Sequence, residues 1–241
     1  MMKIIIKSLF SVLLVILALQ CKTKKPNETG TFTDLRDGYE YKWVKIGNQI
    51  WMAENLNFLP SVNTPSDKSY TEPYYYVYDN KDTILTKPEI KANYNNFGVL
   101  YNWPAAMEAC PDGWHLPSDE EWKQMEIYLG MSQEAANFEG PMRGTDEGSQ
   151  LADNTMWVDG VLRENAAFAS SGFTALPGGI LRSIDGYLYL YEIGGWWTYT
   201  ESRPNFAFCR NVSYASSGID RGTLEKTIGL SVRCIKDEPN Q

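Results

Sequence analysis

The sequence predicts an α+β fold built from short antiparallel strands, two to three short helices and long irregular loops. Three observations carry this. Two turn signals, Arg36-Asp37-Gly38 and Gly47-Asn48, punctuate an early run rich in Tyr, Trp, Val and Ile. The stretch Val99 to Leu129 carries start and stop signals for two helices. Beyond Phe168 the chain breaks into short apolar runs bounded by Gly, Pro, Asn and Ser. Hairpin first, helices next and many strands last argues against a parallel sheet, whose strands and helices would alternate.

In chain order, the N-terminus reads as an address. Lys3 and Lys7 precede an apolar run from Leu9 to Leu19 that is broken only by Ser11. That run is too short and wrongly flanked to span a bilayer, and it fits a secretory signal over residues 1–20. Cys21 follows directly, in the context ALQC. The arrangement resembles a bacterial lipobox, in which the cysteine is acylated and becomes the first mature residue. It implies a cell-envelope protein lipid-anchored to a membrane, the outer membrane by expectation, without spanning it. Residues 21–30, including KTKKPNETG, have no hydrophobic content and are expected to form a disordered linker. The folded domain is expected over 31–237, with 238–241 as a tail.

Tyr39, Tyr41, Trp43, Val44 and Ile46, then Ile50, Trp51 and Met52, flank Gly47-Asn48 as the arms of a hairpin with a two-residue loop. Ser61 to Tyr94 is a polar insertion punctuated by Pro65, Pro73 and Pro88, with Tyr74, Tyr75, Tyr76 and Tyr78 clustered inside it. A loop of that length is either functional or packed over the core. Pro104 suits the first turn of a helix continuing through Ala105 to Ala109, and Pro111-Asp112-Gly113 stops it. Ser118 is a natural N-cap, and Glu121 three residues on completes a capping box. Asp119, Glu120 and Glu121 put negative charge at the positive end of the helix dipole. Trp122, Met125 and Leu129 give a narrow apolar stripe, and Gly130 ends the helix. Ser132 to Phe138 reads as a third short helix and Pro141 to Trp157 as loop. Phe168 to Leu176, Gly186 to Ile193, Trp196 to Tyr199, Phe206 to Val212 and Leu230 to Ile235 read as strands. In the second of these, Tyr187, Tyr189 and Tyr191 alternate with Leu188 and Leu190.

The chain has 241 residues, room for one large domain or two small ones, and its 43% hydrophobic content suffices for a core. Aromatics are 13% of the chain, with 15 Tyr and 8 Trp, which suits either stacking surfaces or an irregular interior. Net charge is −8, and removing Lys3 and Lys7 with the signal leaves 20 basic against 30 acidic residues. With no basic stripe, nucleic acid is excluded as a partner.

Five blocks of residues resemble one family in order. They are Asp37-Gly38-Tyr39 with Val44 through Leu56, and Tyr101-Asn102-Trp103 through Trp122 with CPDGWHLPSD at its centre. Gly172 through Gly179, Trp196-Trp197-Thr198 with Thr200-Glu201-Ser202, and Ser231 through Asp237 follow. Together they resemble the Fibrobacter succinogenes major paralogous domain, found in exported and surface proteins largely of Bacteroidetes and Fibrobacter. The resemblance implies a fold similar to C-type-lectin-like and formylglycine-generating-enzyme domains. Asp82-Thr83-Ile84 also resembles a short O-glycosylation motif of Bacteroidetes secreted proteins.

Beside Cys21, the cysteines are Cys110, Cys209 and Cys234. An exported domain favours one bridge with one thiol left over. In the lectin-like fold the first helix packs near the last strand, so the resemblance implies Cys110 with Cys234 and a buried, free Cys209. Cys209 with Cys234, across neighbouring strands, is the alternative. His115 is the only histidine. A zinc site or a general base needs companions, so a backbone hydrogen bond in the turn before Pro117 is expected instead. No phosphate loop, serine elbow or EF-hand loop is present, and no cofactor or metal is expected. Glu238-Pro239-Asn240 matches a calcium-lectin triplet but lies in the tail, without its companion Trp-Asn-Asp. The paired active-site cysteines of a formylglycine-generating enzyme are also missing. The expected function is therefore a non-catalytic binding or adhesion module. Glycans or a surface protein would meet it around Tyr187, Tyr189, Trp196, Trp197 and Tyr199; the alternative for the two tryptophans is burial in the core. An enzyme on a formylglycine-generating-enzyme-like scaffold is the second functional class.

Overall fold

A computed structural model describes residues 27–153, 155–182 and 186–238. The expected signal over 1–20, the acylated Cys21, most of the linker and Pro239-Asn240 lie outside the described residues.

The chain opens with strands β1 (Thr29–Thr33), β2 (Glu40–Ile46) and β3 (Gln49–Met52). Strand β4 (Tyr75–Tyr76), helix α1 (Pro88–Phe97), β5 (Leu100–Tyr101), α2 (Trp103–Ala109) and β6 (Trp114–His115) follow. The middle of the chain forms α3 (Asp119–Leu129), α4 (Gln133–Asn137), β7 (Gly140–Arg143), α5 (Glu147–Leu151) and α6 (Val161–Glu164). It ends with β8 (Gly178–Arg182), β9 (Gly186–Leu190), β10 (Ile193–Arg203), β11 (Phe206–Ser213), β12 (Ile219–Glu225) and β13 (Ile235–Lys236). A five-stranded sheet has the order β1-β2-β3-β13-β6, and a six-stranded sheet the order β7-β12-β11-β10-β8-β9. Neighbours pair antiparallel except β10 with β8, which meet in parallel at Gly194 and Gly179. The fold is thus α+β with mostly antiparallel sheets and short helices.

The hairpin forms as its turn residues dictate. Ile46 pairs with Gln49 across Gly47-Asn48, and Gly47 has the positive φ of 63° that such a turn requires. Strand period then sorts the side chains. Tyr41 and Met52 enter one core cluster with Tyr101, Trp197 and Leu230, whereas Val44, Ile46 and Trp51 enter a second with Trp122, Phe173 and Trp196. Helix α3 starts on the expected capping box: Ser118 Oγ accepts from the Glu121 amide at 3.0 Å, and Glu121 Oε2 accepts from the Ser118 amide at 2.7 Å. Asn102 caps α2 by accepting from the Ala105 amide at 3.1 Å, and Ser132 caps α4 the same way from Ala135.

Several expectations are corrected. Six helices are present among the described residues rather than two or three. One of them, α1, and strand β4 fall in the insertion read as loop, and β7 and α5 fall in Pro141 to Trp157. Phe168 to Leu176 is not a strand, because Gly172 and Thr174 take positive φ of 76° and 55° and break the extended path. Only Ala175 bridges, to Ala152. Of Leu230 to Ile235, only Ile235 lies in a strand; Leu230 and Ser231 make single bridges to Tyr101 and Trp196. β1 begins at Thr29, inside the expected linker, and Asn27 Nδ2 donates to the Ser171 carbonyl at 2.7 Å.

Candidate functional site

Of the five aromatic residues expected to meet a ligand, the structure removes two. Trp196 and Trp197 have no solvent exposure. Trp196 Nε1 donates to Asn55 Oδ1 at 2.9 Å within a cluster with Trp122 and Phe173. Trp197 Nε1 donates to the Tyr101 carbonyl at 2.8 Å. Both indoles are core, satisfied internally, and cannot stack on a ligand. Tyr189 and Tyr199 are 41% and 48% exposed, and Tyr187 is half-buried. Tyr191, adjacent in sequence, is also exposed.

Two of the three tyrosines near the β9–β10 turn are held by unusual backbone. Tyr189 and Tyr191 have φ of 64° and 67°, which ends the expected alternation. Left-handed backbone on a bulky residue costs on the order of 1–3 kcal/mol and tends to persist at working sites. The Tyr191 ring meets Phe97 edge-on at 5.5 Å. Tyr187 packs on Tyr78 at 5.2 Å, and its hydroxyl donates to the Asn80 carbonyl at 2.9 Å. Burial pushes the Tyr187 phenol well above its ordinary value.

Beside Tyr187 lies a groove of about 520 Å³ between β9 and the insertion, with Thr64, Ser66, Asp79 and Lys81 on its walls. Asp79, like Tyr189 and Tyr191, is a non-glycine residue in the left-handed region, with φ of 63°. The side chains of Asp79 and Lys81 make no hydrogen bond or ion pair among the described residues. Sequence reading missed all four, although the clustered tyrosines of the insertion were the available signal.

His115 is not in a backbone hydrogen bond as expected. Its Nδ1 lies 2.6 Å from Asp237 Oδ1 and its Nε2 lies 2.9 Å from Glu121 Oε1. The hydrogen bond to Glu121 raises its pKa to about 9, with Asp237 adding to the effect against burial. Burial pushes the Glu121 carboxyl up, but His115 and the Ser118 cap outweigh it and hold the group below its ordinary value. With both ring nitrogens engaged and the ring charged at neutral pH, His115 acts as a staple between α3 and the end of β13, not as a free base.

The neighbouring bridge joins Cys110 to Cys234, with Cα atoms 5.9 Å apart. It is the pairing the resemblance implied, and Cys209 is the buried free thiol. Behind α3, Arg210 contacts Asp119 at 2.7 Å and Glu126 at 2.6 Å, Arg143 contacts Glu126 at 2.8 Å, and Arg221 contacts Asp119 at 2.8 Å. Burial pushes the Asp119 carboxyl up, but Arg221 and Arg210 hold it well below the usual range. Arg233 is fully buried among the carbonyls of Met52, Phe173 and Thr174 and the amide of Asn55. Burial lowers its pKa to about 9. It fastens the Phe173–Thr174 segment to β3. No cluster of three or more metal-ligating side chains occurs among the described residues.

The model of the Fibrobacter succinogenes major domain matches residues 44–236. Comparison with curated proteins and with solved structures returns no match. The match covers most of the chain, from within the first hairpin through the last strand, and takes in the capping box, the bridged cysteines and the buried tryptophan pair. The chain belongs to the Fibrobacter succinogenes major domain family.

Proposed function

We propose that the chain is a non-catalytic recognition module of the bacterial cell envelope, lectin-like in shape, lipid-anchored through Cys21 to the outer membrane, and binding glycans in the groove beside Tyr187. One observation carries the reading: the Tyr187 ring and unpaired Asp79 and Lys81 share a groove, and Asp79 and the nearby Tyr189 and Tyr191 are held in left-handed backbone. A sugar needs a flat apolar surface for its C–H face and directional polar groups for its hydroxyls, and pockets of this kind set orientation with few polar groups. Catalysis has less support, since His115 has no nitrogen to spare for a substrate.

A glycan array tests this with the parent chain, Asp79→Asn and Lys81→Ala, both on the groove wall. Asparagine tolerates left-handed backbone, so the first variant removes the carboxylate without adding strain at a φ of 63°. Both variants are expected to weaken the bound glycans about tenfold. No glycan above background, or two variants that bind as the parent does, refutes the reading. Trp197→Ala is unsuitable as a site variant because it empties the core.

A further inference from the structure

A second groove runs along α3, and it shares no lining residue with the Tyr187 groove. Its inner end, about 290 Å³, lies between the β2–β3 turn, α3 and the end of β13. Its outer end, about 680 Å³, passes Ile127 and Tyr128. Asn48, Gln49 and Gln124 line both ends and make the groove continuous.

The hydrogen-bond inventory of the inner end is uneven. Both Glu121 oxygens are engaged, one by His115 and one by Ser118. Gln49 is engaged as well, donating to the Glu121 carbonyl and to Gln124 Oε1 and accepting from Trp51. Asp237 Oδ2, the Glu238 carboxylate, the Asn48 amide and Gln124 Nε2 have no partner among the described residues. Ile50 and Ile235 supply an apolar floor. At the outer end the Tyr128 ring lies across the turn, so close that a Cβ on Gly47 would sit 3.1 Å from it, and it is 51% exposed.

Charge decides which ligand this suits. Three carboxylates, Glu121, Asp237 and Glu238, face two cations, His115 and Lys236. A cationic ligand finds little net attraction there and meets both positive groups. The open carboxylate oxygens still accept hydrogen bonds, so they need donors without charge, which hydroxyl groups are. A side-chain amide accepts from one hydroxyl and donates to its neighbour, which fits a vicinal diol. The isoleucine floor suits C–H faces. We infer that this groove is a second binding site, and that it takes an uncharged oligosaccharide.

The test titrates the full-length chain with maltotriose, cellotriose and mannotriose, and with the cationic trimer of glucosamine, by calorimetry. The parent and Lys81→Ala are expected to bind at least one neutral trisaccharide equally well, which separates this site from the Tyr187 groove. Asn48→Ala combined with Gln124→Ala, both exposed positions, is expected to weaken that binding about tenfold. Near-ultraviolet circular dichroism checks that the double variant stays folded. Four results overturn the inference: no neutral trisaccharide binds the parent, only the glucosamine trimer binds, the double variant binds as the parent does, or Lys81→Ala abolishes binding.

Discussion

Replacing His115 by glutamine keeps a hydrogen-bonding side chain but removes the charge that ties the first turn of α3 to the end of β13. The ring's pKa rises from 6.5 to about 9 on folding. Fully realised, that gap corresponds to about 3.4 kcal/mol. The side chain is 38% exposed, and solvent screening reduces the expected contribution to about 1–2 kcal/mol. The folded state binds the proton more tightly than the unfolded chain. The stabilisation is therefore complete below pH 6.5 and disappears as pH rises through about 9. Urea denaturation of parent and variant at pH 6 and pH 10 reads this directly. The parent is expected to be more stable by about 1–2 kcal/mol at pH 6 and nearly equal to the variant at pH 10. The buried phenols of Tyr41 and Tyr101 are shifted upward and are common to both proteins, so they do not mimic the difference. An equal gap at both pH values, or none at pH 6, refutes the argument.

Other outcomes follow from the bridge, the buried ions and the lone thiol. The Cys110–Cys234 bridge spans 124 residues, so its removal is expected to cost about 5 kcal/mol in the chain-entropy model, read by denaturation with and without reductant. Glu126→Gln leaves Arg143 and Arg210 facing a neutral amide in a fully buried site, and is expected to cost about 3–5 kcal/mol in the same assay. Burial pushes the Cys209 thiol up to about 12. It should resist iodoacetamide at pH 8.5 in the native chain and react in urea, as mass spectrometry would show.

Local chemistry was legible in the sequence wherever one or two residues decide a structure. Gly47-Asn48 fixed the hairpin, and Ser118 with Glu121 fixed the start of α3. The Cys110–Cys234 pairing was legible only through the family resemblance. What escaped depends on partners far away in the chain. β12 holds Asp220, Arg221 and Gly222 and looks like a polar loop, yet it pairs with β11 on one side and β7 on the other, and Arg221 reaches Asp119 across 102 residues. The tyrosine alternation of β9 was real as a pattern, but Tyr189 and Tyr191 adopt a backbone that period-two reasoning does not contain. Trp196 and Trp197 sit on successive positions of β10, and a half-exposed strand would show one of them to solvent. Here the sheet is covered on both faces, so neither is exposed.

The order of the five-stranded sheet bears on how the chain assembles in time. Its last strand, β13, lies between β3 and β6 and pairs Ile235 with Trp51 on one side and His115 on the other. A ribosome that has made everything up to Gly229 therefore carries a sheet with its middle missing. Contacts of such long sequence separation form slowly, and here they must await the synthesis of β13, so the N-terminal hairpin joins its neighbour in this sheet only after Ile235 and Lys236 have been made.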